Sequence, residues 1–413
     1  MSKTLSRLFA AQMTILKPAS DNYVPEIVSL ILTEARKSRA SDVHLVPSEN
    51  ALMMQWRIDG VLHSVAGFDK ELAGRIVARL KVICGLLTYR TDVPQEGRVA
   101  REHSSSEVRV TTFPTLHGEK AAIRMFAESD SLQRLDELGL PDVILSSVRA
   151  HLTATAGVLL WTGPSGSGKT TSVYACLRDI IAQSAGGRCV MTLEDPIEVA
   201  LNGATQSQVR PSVGFDLTSG LRSLMRQDPD VILVGEIRDP ATAEAAFQAA
   251  LTGHLVLSTF HAGSAAEALA RLLDMQIEPY LLRSGLRSIV CQRLLRRTCP
   301  ACVGPSRERH VHEKSVPAEN SSDKTASTLG LAAACGQCGS TGYLGRLLLA
   351  EMLDPDVPEM ARAILNKSDS RLLATLAEST GMETLRHAAN QAISDGRTTR
   401  EEVLRVLGGR VLG

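Results

Sequence analysis

Apolar residues return every third or fourth position over 23–36, at Val24, Ile27, Val28 and Ile31, the spacing of one helix face. Two extended runs follow at 42–46 and 52–58, then a helical pattern over 71–87. Two further strands, 107–113 and 121–126, are joined across 114–118 as a hairpin. These segments predict a small α/β domain over 23–130. The leader, 1–22, carries Leu5, Leu8, Phe9 and Met13 at the spacing of a short amphipathic helix, with a disordered tail as the expectation. After Leu140 the pattern changes. Continuous apolar runs at 158–161, 189–193, 231–234 and 255–259 alternate with helical stretches. Strands without polar alternate positions are buried on both faces, which predicts a mostly parallel sheet covered by helices, a RecA-like core within 131–413. Residues 303–327 are polar and aperiodic and read as a loop. The tail over 361–407 is helical, with Thr399 and Glu402 spaced as a capping box.

Composition narrows the function classes. The chain has 413 residues, enough for two domains and an accessory module. Lysine and arginine together number 45, as do aspartate and glutamate, for a net charge of +0, and aromatics make up 3% of residues. That balance gives no global polyanion-binding character and few stacking platforms, so no nucleic-acid partner is expected and a translocase is the more distant alternative. No apolar run is long enough to cross a bilayer and no signal-peptide core is present, so the expected location is the cytosol.

Residues 163–171 read GPSGSGKTT between an apolar run, 157–161, and a helix-compatible stretch. Strand, glycine-rich turn and helix in that order form a P-loop, whose backbone N–H groups curl around phosphates at a helix N-terminus. Gly163, Pro164, Ser165, Gly166, Ser167, Gly168, Lys169, Thr170 and Thr171 are the candidate nucleotide-binding residues. Gly166 and Gly168 admit close approach, Lys169 reaches the β and γ oxygens, and the Thr170 hydroxyl is a ligand for Mg²⁺. The LEDPIE cluster (Glu194, Asp195, Glu198) follows an apolar strand and reads equally as a metal-water site or a solvated turn. In DPDVILVGEIRD the strand 231–234 leads to Glu236, the candidate catalytic base; the alternative is simple pairing with Arg238. His254 opens the next strand and reads as structural, while His261 closes it and is a candidate phosphate sensor.

Eight cysteines are present, four of them in two CxxC pairs, Cys299/Cys302 and Cys335/Cys338. Four thiolates in paired spacing suit tetrahedral Zn²⁺, and the long loop between them adds little closure entropy. His310 and His312 lie in that loop and read as solvated. The basic run 293–297 (RLLRR) just before Cys299 reads as a solvated helix end or a face for an anionic partner.

Taken together, GPSGSGKTT, LEDPIE, LRSLMRQDPDVILVGEIRD, TGHLVLSTFHAGSA and CPAC…CGQCGSTGYLGR resemble the secretion-superfamily traffic ATPases, in particular their type II secretion and type IV pilus assembly branch. The resemblance runs from about Ala40 to the C-terminal region. It implies a P-loop domain (131–413, including a tetracysteine zinc module at 296–346) with a smaller, PAS-like N-terminal α/β domain. It also implies a homohexamer peripheral on the inner membrane, coupling Mg-ATP hydrolysis to pilin or pseudopilin assembly through a polytopic platform protein. Glu194, Asp195 and Glu198 match the family's Asp box, Glu236 its Walker B glutamate, and His254 and His261 its His box. SDVHLVP, RIDG and PQEGR match its N-terminal signatures, and Arg109 and Arg124 fall where the family places arginines that reach the nucleotide. The chain departs from the family at Val46 and Gln55, where an acidic residue and an arginine are common. Many members also carry a further N-terminal domain that docks on a membrane-anchored recruiting protein; here about twenty residues precede the first predicted helix.

Overall fold

The helical period at 23–36 becomes the helix Tyr23–Lys37, whose buried face holds Val24, Ile27, Val28, Ile31, Leu32 and Ala35. In this computed structural model the described residues are 3–18, 20–100, 108–125, 134–302 and 335–409; His310 and His312 lie outside them. Contacts group the chain into two compact units, Met1–Glu128 with Arg296–Arg346, and Ser129–Leu295 with Leu347–Gly413. The sequence reading assigns 296–346 to the second domain. The contacts group these residues with the first, where the Asp59 carboxylate accepts a hydrogen bond from the Gly345 N–H at 3.1 Å.

The first unit is built on an antiparallel six-stranded sheet in the order β3-β2-β1-β6-β5-β4. Its strands are β1 Ala40–Pro47, β2 Ala51–Ile58, β3 Val61–Asp69, β4 Gln95–Arg98, β5 Val108–Thr115 and β6 Gly118–Met125. Strand β3 escapes sequence reading because its burial does not alternate cleanly. The leader differs from the disordered tail expected of it. Lys3–Met13 is a helix, and Phe9 is 1% exposed, meeting Trp56 and Phe68 edge-on with ring centroids 5.9 and 6.2 Å away. Burying one phenylalanine is worth about 1.5–3 kcal/mol, enough to tie a short helix to the sheet.

The second unit continues with β7 Gly157–Thr162, β8 Val190–Glu194, β9 Thr205–Gln208, β10 Val231–Val234 and β11 Leu255–Phe260, and with the greater part of β12 Leu286–Thr298 and β13 Tyr343–Leu353, whose remaining residues fall in the first unit. They form one sheet in the order β13-β12-β7-β11-β10-β8-β9, parallel from β12 to β9. Along β7, Val158 and Leu160 enter one apolar cluster while Leu159 and Trp161 enter another, so both faces are covered as the continuous apolar runs require. The RLLRR segment is strand, not helix end: Arg293 lies within β12 and is 7% exposed. The tail forms the helices Pro358–Leu365, Ser370–Ser379, Leu385–Ser394 and Arg400–Leu407, the last capped by the Thr399 hydroxyl accepting from the Glu402 N–H at 3.2 Å.

Candidate nucleotide site and cysteine cluster

Parallel pairing carries the C-terminal ends of β7, β11, β10 and β8 to one edge of the sheet, where ligands of open α/β sheets bind. The P-loop leaves β7 there and opens the helix Lys169–Ser184. Gly166 and Gly168 have φ of 75° and 90°, left-handed values that a side chain would strain, and around Gly166 a Cβ would meet nothing within 4 Å. Pro164, Ser165 and Gly166 are exposed, and Ser167 and Lys169 are buried. Thr170 is half-buried and Thr171 exposed. The loop is thus open at its tip and fixed at its base. Lys169 folds back, donating from Nζ to the carbonyls of Gly163 at 2.9 Å and Pro164 at 3.1 Å. Burial holds its pKa below the usual lysine value, partly opposed by Glu236. A desolvated cation beside an exposed glycine loop fits a phosphate.

Glu194 ends β8 and is buried, which removes the solvated-turn alternative for that residue. Its carboxylate accepts from the Tyr174 hydroxyl, from Thr192 Oγ1 at 2.5 Å and from Gln206 Nε2 at 3.1 Å. Tyr174 belongs to the P-loop helix, so the Asp-box carboxylate is bonded to the element that presents the phosphate site. Burial and this carboxylate push the Tyr174 hydroxyl pKa up, so it stays a donor. Asp195 is exposed, with Arg238 3.9 Å away.

Gly235 brings the next strand end close: its N–H donates to the Leu193 carbonyl at 2.8 Å, and a Cβ there would stand 3.3 Å from the Glu194 Cα. Glu236 follows, mostly buried, paired with Arg238 and with His261 Nε2 3.5 Å away. Both the catalytic and the pairing reading of Glu236 are therefore compatible with its place. His261 is half-exposed beyond β11; burial and then the Lys169 charge lower its pKa against the pull of Glu236, favouring the neutral ring. His254 is structural, with Nδ1 2.8 Å from the Ala249 carbonyl. The fold thus brings the P-loop, Glu194, Glu236 and His261 to adjacent strand ends.

Sequence reading passes over the residues that support them. Arg293 donates to the Gly263 carbonyl at 2.5 Å, two residues past His261. Glu351 is buried and accepts from the N–H groups of Ala265 at 2.8 Å and Leu385 at 2.9 Å, the first residues of two helices. Burial raises its pKa. An acid opposite two helix N-termini, each lacking intrahelical partners, satisfies both. Nothing in local spacing signals these contacts, since they span 30, 86 and 34 positions.

Arg109 and Arg124 stand in the first unit, directly opposite each other on β5 and β6. The register extends further. Arg57, Asp42, Arg124, Arg109 and Arg98 are successive cross-strand partners over β2, β1, β6, β5 and β4. Directly opposed residues share a sheet face, so four arginines and one aspartate form a single row. Asp42 lies 3.1 Å from Arg124 and 3.6 Å from Arg57, and Glu96 lies 3.4 Å from Arg109.

In the same unit the sulfurs of Cys299, Cys302, Cys335 and Cys338 all lie within 4.8 Å of one another, with 3.9 Å between Cys299 and Cys335 and 3.5 Å between Cys302 and Cys338. Tetrahedral zinc with bonds of about 2.3 Å spaces its sulfurs by about 3.8 Å, so this donor set fits such an ion. The Gly342 N–H reaches Cys338 Sγ at 3.4 Å, a bond that suits a thiolate.

Comparison with known proteins agrees with this geometry. The model of the family described as "Type II/IV secretion system protein" matches residues 17–405. The type II secretion system protein E of Pseudomonas aeruginosa is 39% identical over 394 residues, covering 95% of this chain and 77% of its own. The type IV pilus assembly ATPase PilB of Myxococcus xanthus is 37% identical over 395 residues, covering 94% and 68%. Among solved structures, the pilus retraction motor PilT with bound ADP superposes with a TM-score of 0.59 at 25% identity, covering 91% of this chain and 96% of PilT.

Proposed function

We propose, from the premise that the chain belongs to the Type II/IV secretion system protein family, that this ATP-hydrolysing motor works as a cytoplasmic homohexamer peripheral on the inner membrane and drives pseudopilus assembly in type II secretion. The observation that carries this reading is the convergence of Lys169, Glu194, Glu236 and His261 at adjacent parallel strand ends. Phosphoryl transfer needs positioning and charge neutralisation more than covalent chemistry. Lys169 and the P-loop N–H groups would hold the β and γ phosphates, the Thr170 hydroxyl and the Glu194 region would hold Mg²⁺ and its waters, and Glu236 would orient the attacking water. His261, neutral at pH 7, would register the γ-phosphate. Mg²⁺ supplies charge neutralisation at the phosphates when bound.

The arginine row supplies the remaining positive charge in this reading. Arg109 and Arg124 would reach the γ-phosphate, their planar donors offsetting the charge that develops during transfer. A polytopic membrane platform protein is the proposed recipient of the motion. No helix among the described residues is long and apolar enough to cross a membrane. Assembly of a type IV pilus is the second reading, supported by the near-equal similarity to a pilus assembly ATPase.

The test is Mg-ATP hydrolysis per chain measured against protein concentration. Specific activity that climbs with concentration supports sites completed by a neighbouring copy; activity per chain that stays constant down to concentrations at which the chain is monomeric refutes that arrangement. The cysteine cluster is proposed to hold one structural Zn²⁺. Metal analysis of purified protein is expected to return about one zinc per chain, and Cys335→Ser to lose it with a drop in melting temperature. A chain that is metal-free, folded and active would overturn the assignment.

A further inference from the structure

The P-loop rests on a side chain from another strand, and the same residue crowds two of its glycines. Gln292 is fully buried on β12, which runs parallel beside β7. Its amide nitrogen donates to the Ser167 carbonyl at 2.7 Å, and its amide oxygen accepts from the Ser172 hydroxyl at 2.9 Å. A carbonyl only accepts, so the nitrogen must face Ser167 and the oxygen is left for Ser172. A Cβ on Gly168 would stand 3.1 Å from that nitrogen, and a Cβ on Gly163 would stand 2.6 Å from the main-chain carbonyl oxygen of Gln292 and 2.6 Å from Ser167 Oγ. At Gly163 the loop therefore passes the β12 main chain at a distance only glycine permits, while at Gly168 a side chain would crowd the Gln292 amide.

The Ser167 carbonyl and the Gly168 N–H belong to one planar trans peptide and point in opposite directions. Holding that carbonyl against Gln292 turns the Gly168 N–H away from β12. Gly168 is also the residue before the helix Lys169–Ser184, so the same bond fixes the donor that leads into that helix N-terminus. The Ser172 hydroxyl, one turn into the helix, fixes the rotation of the amide.

We propose that Gln292 is a positioning residue for phosphate recognition: from a neighbouring strand it sets the peptide that presents the Gly168 N–H, at the mouth of the P-loop helix, to a nucleoside diphosphate. The inference rests on the nucleotide-binding reading above and deepens it. Glutamine is required because both an acceptor and a donor are used at one place. Glutamate would set an oxygen against the Ser167 carbonyl, and methionine would fill the space with neither bond.

The experiment uses the full chain, metal-replete, with Mg-ADP as the calorimetric probe. Gln292→Met is expected to weaken Mg-ADP binding about tenfold, the scale of one bond made to a charged group. Mg-ATP should weaken by the same factor, since both carry the β-phosphate. Ser172→Ala leaves Gln292 in place but frees its amide to turn, and is expected to weaken binding about threefold. A merely structural glutamine would lower the melting temperature and leave the affinity of the folded protein unchanged. Folded Gln292→Met with the parent's affinity therefore overturns the proposal, as does unchanged affinity in Ser172→Ala should the methionine variant not fold. A parent chain that fails to bind Mg-ADP overturns the nucleotide reading, and this inference with it, so the two failures are read separately.

Discussion

Glu236→Gln is expected to lower kcat for ATP hydrolysis by about 10²–10⁴-fold, the range of a lost general base, while ATP affinity stays within about threefold. The side chain is isosteric, so packing at the end of β10 is kept and only the charge is lost. That charge is shared by Arg238 and faces His261. Arg238 responds with a pKa above the usual guanidinium value, chiefly through its hydrogen bond to Glu236. The carboxylate must therefore release part of this pairing to orient a water. Binding is expected to survive because removing a negative charge near the phosphates does not oppose the nucleotide. Single-turnover kinetics with equilibrium binding on the same preparation checks both halves. Near-parental turnover would leave Glu236 as Arg238's ion-pair partner and remove it from the mechanism.

Lys169→Ala is expected to weaken Mg-ATP binding by at least about 10²-fold, since charge-assisted contacts to phosphate are the strong ones in such a site. The same change should not lower the melting temperature of the nucleotide-free protein. Lys169 is 8% exposed and, among the described residues, donates to loop carbonyls, with burial the leading influence on its pKa. The sign follows from that lowered value. Between the folded pKa and 10.5 the unfolded chain holds the proton more tightly, so the empty protein gains stability as pH rises through that interval and loses it as pH falls. Below it the buried cation is a net cost that the alanine variant does not carry. Differential scanning calorimetry with and without Mg-ATP separates the two effects. A variant that melts early and still binds nucleotide would mean the lysine serves the fold.

The parts of the site that could be read from sequence are those whose signal is local. The P-loop needs nine consecutive residues, 163–171, and the strands at 157–162, 231–234 and 255–260 are continuous apolar runs. The cysteine pairs carry their own spacing. What could not be read depends on partners distant in the chain. Whether Glu194 faces water or the interior is decided by Tyr174 and Gln206, 20 positions before it and 12 after. RLLRR reads ambiguously because paired leucines between arginines suit a helix stripe as well as a strand, and burial of Arg293 depends on the carbonyl of Gly263. The leader helix is hard to read for a similar reason: the ring neighbours of Phe9 are distant in the chain, at 56 and 68. The arginine row is legible only once the register of five strands is known.

The division of the chain has a practical side for anyone cutting it into pieces. The boundary between units is crossed three times, at 128/129, 295/296 and 346/347, the last two inside β12 and β13. A fragment begun at Ser129 is therefore not the second unit alone; it drags 296–346, cysteines included, away from the residues they pack with, such as Asp59. Conversely, a fragment ended at Glu128 leaves the first unit short of its later segment. A clean dissection would join Leu295 to Leu347 through a short turn, treating the intervening stretch as an insertion that belongs to the other half of the molecule.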